Sequence, residues 1–249
     1  MASANEYHGN RNMPMAECSF TNPSGGIMST ITDYFEQFAL VSLEKQEKLS
    51  RVIGDHLSYL DINEGMVRCN DDLVFPFQVL GTQSDNTLTL LWAWAEEQTE
   101  IPESITDVAL KLRDWGMQAG LREFTIPSVD VNRVDGYIIA LIATEVCKAS
   151  CFYRDHYEGG AAFVLLFDRR IDAQPAFDRM GLTRTFQDLI AQYEFNHRNA
   201  LLSYLRMKNL PFSEDGGIIN FKLESGEDLQ MDFDENGALR SVNGEPGIA

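Results

Sequence analysis

Apolar residues change their spacing several times along the chain, and each change marks an element. From 29 to 54, Ile31, Phe35, Phe38 and Val41 recur at three- and four-residue steps. Ser29/Thr30 precede them as N-cap residues and Gly54 follows as a stop, so the pattern predicts an amphipathic helix. Its Glu44, Lys45, Glu47 and Lys48 stretch reads as solvated. The period then falls to two. Segments 56–62, 66–69, 73–80 and 87–95, separated by Asn-Glu-Gly, Asn-Asp-Asp and the Gly81 to Asn86 loop, predict a four-strand antiparallel meander, with Pro76 suited to an edge or bulge. Helical spacing returns at 103–121, where Ile105, Val108, Leu112, Trp115 and Ala119 form one stripe and Gly120 stops it.

A short strand is expected at 123–129, followed by a helix at 133–149 that is apolar on more than one face and therefore buried. Strands at 151–158 and 161–168 flank Glu158-Gly159-Gly160, and the nearly all-apolar second strand reads as central. A single long helix is predicted over 176–208, with Phe186, Leu189, Ile190, Tyr193, His197, Ala200, Leu201 and Tyr204 on its stripe and Pro211 beyond its end. Alternation over 216–242, with turns at Ser225-Gly226 and Glu235-Asn236-Gly237, predicts a three-strand meander. Helices and antiparallel strand groups alternating in blocks give an α+β fold: antiparallel β-meanders packed with four main helices.

One segment is distinctive: the Leu80-Gly81-Thr82-Gln83-Ser84 loop and the strand Leu88-Thr89-Leu90-Leu91-Trp92-Ala93-Trp94-Ala95. On a strand, Leu88, Leu90, Trp92 and Trp94 share a face, which is either a stacking platform or, more plainly, core under a helix. With Leu112-Arg113-Asp114-Trp115-Gly116 and Tyr153-Arg154, these motifs resemble an uncharacterised bacterial domain-of-unknown-function family marked by an L-G-x-x-S loop and a W-x-W-A strand. The resemblance covers roughly residues 35–170 and implies a domain boundary but no activity. The polar residues 1–27 read as a flexible leader, with Met28 as an alternative start because helical periodicity begins after it; a domain at 28–170 follows, and the resemblance leaves 171–249 as a C-terminal extension packed on the same domain.

Charge narrows the function. The chain carries 38 acidic against 20 basic residues, a net charge of -18. That balance disfavours nucleic acid and anionic membranes and favours basic partners. Two acidic clusters stand out: Glu96, Glu97 and Glu100 after the Trp strand, and Glu224, Glu227, Asp228, Asp232, Asp234 and Glu235 in the terminal meander. Asp232 to Gly237 matches the first half of a calcium loop, but its twelfth position is Asn243, so a hairpin turn is the better reading and no metal or cofactor is expected. Cys18, Cys69, Cys147 and Cys151 lack C-x-x-C spacing and read as reduced thiols in the cytoplasm. His8, His56, His156 and His197 match no metal-binding or protease motif.

Two functions follow. The first is a non-enzymatic immunity-type inhibitor that neutralises a cognate bacterial toxin, a basic protein such as a nuclease, through these nine acids. The alternative is a small-molecule hydrolase using Asp155, His156, Glu158 and the Trp92/Trp94 face.

Overall fold

The computed structural model describes residues 30–54, 58–69, 73–95, 101–243 and 245–246. The leader at 1–27, Met28, Ser29, Cys18, His8, His56, the turn at 70–72 and the acids Glu96, Glu97 and Glu100 lie outside the described residues. Two antiparallel sheets and a set of helices share one continuous apolar core, which gives the α+β class expected from the alternating blocks.

Helix α1 (Ile31–Ile53) opens with a capping box in which Thr30 and Asp33 exchange side-chain-to-backbone bonds. Strands β1 (Tyr59–Asp61), β2 (Met66–Arg68), β3 (Val74–Ser84) and β4 (Thr89–Trp92) form the expected meander. After α2 (Asp107–Ala119), β5 (Ser128–Asp130) pairs with β4. Helix α3 (Gly136–Val146) leads into the hairpin of β6 (Cys151–Tyr157) and β7 (Gly160–Leu166). Strand β7 lies between β6 and β3, which makes it central as its apolar run predicted, and β6 pairs with β7 alone within this sheet. Helix α3 covers the face shared by β6 and β7.

Helices α4 (Arg169–Asp172), α5 (Arg179–Gln192) and α6 (His197–Met207) follow, then a second sheet of β8 (Phe212–Asp215), β9 (Ile218–Lys222), β10 (Asp228–Phe233), β11 (Leu239–Val242) and the two-residue β12 (Glu245–Pro246).

Several local expectations are corrected. The helix expected over 176–208 is two helices, because Tyr193 turns extended and the Asn196 side chain caps α6 by accepting the Asn199 amide at 2.9 Å. The terminal meander gains β8 and β12. Segment 122–124 is a 3₁₀ turn that buries Phe124, so the strand expected at 123–129 shrinks to β5. Strand β3 runs through Gly81 to Ser84 instead of ending in a loop.

Strand β4 stops at Trp92. Leu88 therefore sits in the preceding turn at φ 52, and Trp94 falls in a turn with the Arg113 guanidinium 5.1 Å over its ring. Trp92 is fully buried, donates Nε1–H to the Glu123 carbonyl at 2.9 Å, and begins an aromatic chain through Phe124 and Trp115 to Tyr34.

The solvated stretch expected on α1 is also corrected, since Glu44 is 2% exposed. Lys208 Nζ reaches its Oε1 at 2.8 Å, while Tyr204 Oη and the Phe177 amide reach its Oε2 at 2.7 and 3.1 Å. About two helical turns earlier on α1, Glu36 accepts the Asn196 amide at 2.8 Å and Asn199 Nδ2 at 2.9 Å. On another flank, Lys45 Nζ meets Glu145 of α3 at 2.6 Å. Helix α1 is thus a strut whose buried carboxylates are satisfied by the elements around it, as buried charges must be. Among the described residues no helix is long and apolar enough to cross a membrane.

Candidate functional site

Strand β10 alternates: Leu229, Met231 and Phe233 enter the core, while Asp228, Gln230 and Asp232 face the other way. Residues opposite one another across a ladder share a face. Gln230 lies opposite Asn220, which lies opposite Ser213, and Gln230 Nε2 donates to Asn220 Oδ1 at 3.1 Å. In the next row Asp232 and Asp215 flank Ile218. The outer face of this sheet is therefore open and polar, bears Asp215, Asp228 and Asp232 with Lys222, and contains a shallow hollow of about 610 Å³ around Pro211, Ser213, Asn220 and Gln230.

The structure sorts the C-terminal acids named from the sequence. Glu224 pairs with Lys208 at 2.9 Å. Glu227 accepts the Arg179 amide at 2.9 Å and the Ser225 hydroxyl at 3.0 Å, tying the β9–β10 turn to α5. Asp234 accepts the Ala238 and Asn236 amides at 2.9 and 2.8 Å, and these backbone donors hold its carboxyl below the usual range. That is the hairpin turn in place of a calcium loop. Glu235 is exposed at the same turn. Asp228 and Asp232 remain on the open face. Asp215 joins them because Gly216-Gly217, both at positive φ, fold β8 back onto β9.

The residues of the hydrolase reading are not brought together. Asp155 and His156 are consecutive on β6 and point to opposite faces. Asp155 shares the face of Tyr153, whose hydroxyl lies 2.7 Å from Ser58 Oγ. Burial raises the Asp155 carboxyl, against the Leu60 amide, the His156 charge and the Tyr153 hydroxyl, which lower it. His156 and Glu158 are exposed near the hairpin tip. The thiols of Cys147 and Cys151 are buried and free; burial pushes Cys147 up to about 12 and Cys151 higher still, which leaves both unreactive. Among the described residues no group of three His, Cys, Asp or Glu side chains is placed to hold a metal ion.

A second hollow, about 500 Å³, opens between α1, α5 and the first turn of α3, with Gln46, Ser50, Tyr137, Thr185, Gln192 and Tyr193 in its lining. Tyr137 stands edge-on to Phe152 at 5.0 Å and Tyr193 packs on Phe35 at 5.3 Å. Burial raises both phenols, reinforced by the nearby Asp135 carboxylate and opposed by Arg154. Local spacing carries no sign of this place: Tyr193 continues the stripe expected over 176–208, Tyr137 falls within the buried helix expected at 133–149, and neither pattern indicates a hollow.

No curated protein and no solved structure matches the chain. A family model matches residues 32–169, from the second residue of α1 to the first of α4, close to the span of the sequence resemblance. The chain therefore belongs to the Family of unknown function (DUF6882), with α5, α6 and the second sheet lying beyond the matched segment.

Proposed function

We propose that this chain is a non-enzymatic binding protein of the cytoplasm, an immunity-type inhibitor that neutralises a cognate bacterial toxin by docking a basic surface. The observation that carries the reading is the open outer face of the second sheet. Asp215, Asp228 and Asp232 sit there on a rigid ladder, in a chain of net charge -18. Acids on a paired ladder have their backbone already ordered before binding. An acidic field speeds encounter with a basic protein and opposes phosphate-bearing competitors. A nuclease toxin, basic because its substrate is a polyanion, suits such a face. Glu224 and Glu227 tie the β9–β10 turn to Lys208 and Arg179, Asp234 holds the β10–β11 turn, and Glu235 is exposed at that turn.

The test is purification of the tagged chain from its native host at low ionic strength. A co-purifying basic protein is identified, and its toxicity or nuclease activity is assayed with and without the chain. The reading expects inhibition that weakens with salt and is lost in the triple variant Asp215→Lys, Asp228→Lys, Asp232→Lys. It fails if the chain emerges alone at low salt, or if the partner's activity is untouched.

A further inference from the structure

We infer that the hollow between α1, α5 and the first turn of α3 binds a neutral sugar, whose hydroxyls meet unpaired hydroxyls and amide carbonyls on the three helices and whose C–H face meets leucine and tyrosine. The inference does not rest on the docking face of the second sheet.

Floor and rim of this hollow differ. Leu43, Tyr137 and Tyr193 are half-buried and Leu189 is buried, while Ser50, Asp188 and Gln192 are exposed around them. Among the described residues, the lining hydroxyls of Ser50, Tyr137, Thr185 and Tyr193 make no hydrogen bond. Those of Tyr137, Thr185 and Tyr193 stay open to solvent although their residues are half-buried, so a ligand can reach them. The two tyrosine rings are held against Phe152 and Phe35 before any ligand arrives.

Two glutamines add acceptors. Gln46 Nε2 donates to the Phe152 carbonyl at 3.0 Å and Gln192 Nε2 to the Asp188 carbonyl at 3.1 Å. Each amide is thereby oriented and keeps its Oε1 as an acceptor. The lining thus combines groups that both donate and accept with groups that only accept. A ligand hydroxyl, with one donor and two lone pairs, satisfies either kind.

The charges exclude an ionic ligand by balancing. Glu47 is held by Arg51 and lies 3.7 Å from Arg184, and Asp188 stands on the rim. At the two phenols, Asp135 and Arg154 act with opposite sign. An added charge of either sign meets a like charge and gives up water on entering. A neutral molecule with polar edges and an apolar face avoids both costs. A pyranose has that form, its C–H face suited to Leu43, Leu189 and the tyrosine rings. A volume of about 500 Å³ suits a mono- or disaccharide.

The two parts of the chain complete this place together. Gln46, Ser50 and Tyr137 lie inside the matched segment 32–169, and Thr185, Gln192 and Tyr193 lie beyond it on or just after α5.

The experiment follows the Tyr137, Thr185 and Gln192 amides of the full chain by nitrogen-15 NMR during titration with glucose, galactose, mannose and maltose. Glucosamine as its cation and glucuronate as its anion are the charged arms. At least one neutral sugar should shift all three amides saturably, with a Kd of about 10 mM or tighter, and bind at least as well as either charged arm. Thr185→Val and Tyr193→Phe should each weaken that sugar about threefold to tenfold, and the double variant about tenfold or more. Both substitutions keep side-chain volume. The inference is overturned if no neutral sugar saturates the shifts in that range, if a charged arm binds more tightly than every neutral sugar, or if the folded double variant binds unchanged. Should the double variant fail to fold, Ser50→Ala on the exposed rim decides: it should lose about threefold, and unchanged affinity there also overturns the inference.

Discussion

Replacing Lys208 by Met leaves the Glu44 carboxylate buried without its closest cation. The Glu44 carboxyl is pushed up by burial. Hydrogen bonds from Lys208 and Tyr204, the Lys208 charge and the Phe177 amide outweigh that and hold it below the ordinary carboxylate value. Lys208 also bridges to Glu224, so it serves two acids. Removing one partner of a buried ion pair costs about 3–5 kcal/mol when nothing compensates. Here Tyr204 and the Phe177 amide still donate and Lys48 stands 3.7 Å away, which lowers the expected loss to about 2–3 kcal/mol. Glu44→Gln should cost about 1–2 kcal/mol, because Lys208 keeps Glu224. With Gln at position 44, losing Lys208 removes chiefly a half-exposed bridge worth about 0.5 kcal/mol. The two substitutions should therefore be coupled by about 2 kcal/mol. Urea unfolding at neutral pH, followed by fluorescence of the buried Trp92 and Trp115, measures all four corners of the cycle. Additivity to within about 0.5 kcal/mol would refute the claim that the ionised pair is a unit.

Four other outcomes are expected. His197 accepts the Leu239 amide on Nδ1 at 3.0 Å, and burial lowers its pKa against the opposing pull of Asp234. The folded state thus takes up the proton less readily than the unfolded chain. This contribution is intact above the unfolded value of 6.5 and is lost as pH falls below it, so Tm should drop between about pH 7.5 and about pH 5.5 and drop less in His197→Gln; equal slopes would count against it. Gly160→Ala should cost about 3 kcal/mol or more by denaturant unfolding, because the new Cβ would lie 2.0 Å from the Gln83 carbonyl oxygen of the neighbouring strand. Gly226→Ala, with φ 91 and nothing within 4 Å, should cost about 1 kcal/mol from backbone strain alone. Trp92→Phe should cost about 2–3 kcal/mol by the same assay, combining a cavity with an orphaned Glu123 carbonyl.

The elements most legible in the sequence were those where burial alone sets the pattern. The stripe of α1, the antiparallel order of the first four strands and the unbroken apolar run of β7 are legible because one face, or both, enters the core, whereas the ends of β3 and β4 are not: β3 runs on to Ser84 and β4 stops at Trp92. The break between α5 and α6 was hidden. The apolar stripe continues through Tyr193 and His197, and the stop is made by an Asn196 cap and a carboxylate on α1, not by Gly or Pro. Strand β8 was hidden for the opposite reason: Phe-Ser-Glu-Asp has no alternation, and its place is set by hydrogen bonding to β9.

The same division runs through the candidate sites. Net charge located the acidic meander, and alternation along β10 put Asp228 and Asp232 on one face. What Glu224 and Glu227 do depends on Lys208 and Arg179, which come from other elements. The meeting of Tyr137 and Tyr193 at one hollow is a product of chain topology and left no mark in local spacing.

The acceptors of α1 also bear on how members of this family differ from one another. Among the described residues, every donor hydrogen-bonded to Glu36 and Glu44 comes from Phe177, Asn196, Asn199, Tyr204 or Lys208, all beyond the matched segment 32–169. A relative that ends near position 169 would have these two carboxylates on a bare helix flank. Such relatives should carry neutral or small residues at both places, whereas relatives with acids at both should possess a tail that supplies an amide cap and a lysine. Two positions in the first helix would then sort short members from long ones, and would tell which of them can be cut at the family boundary and still fold.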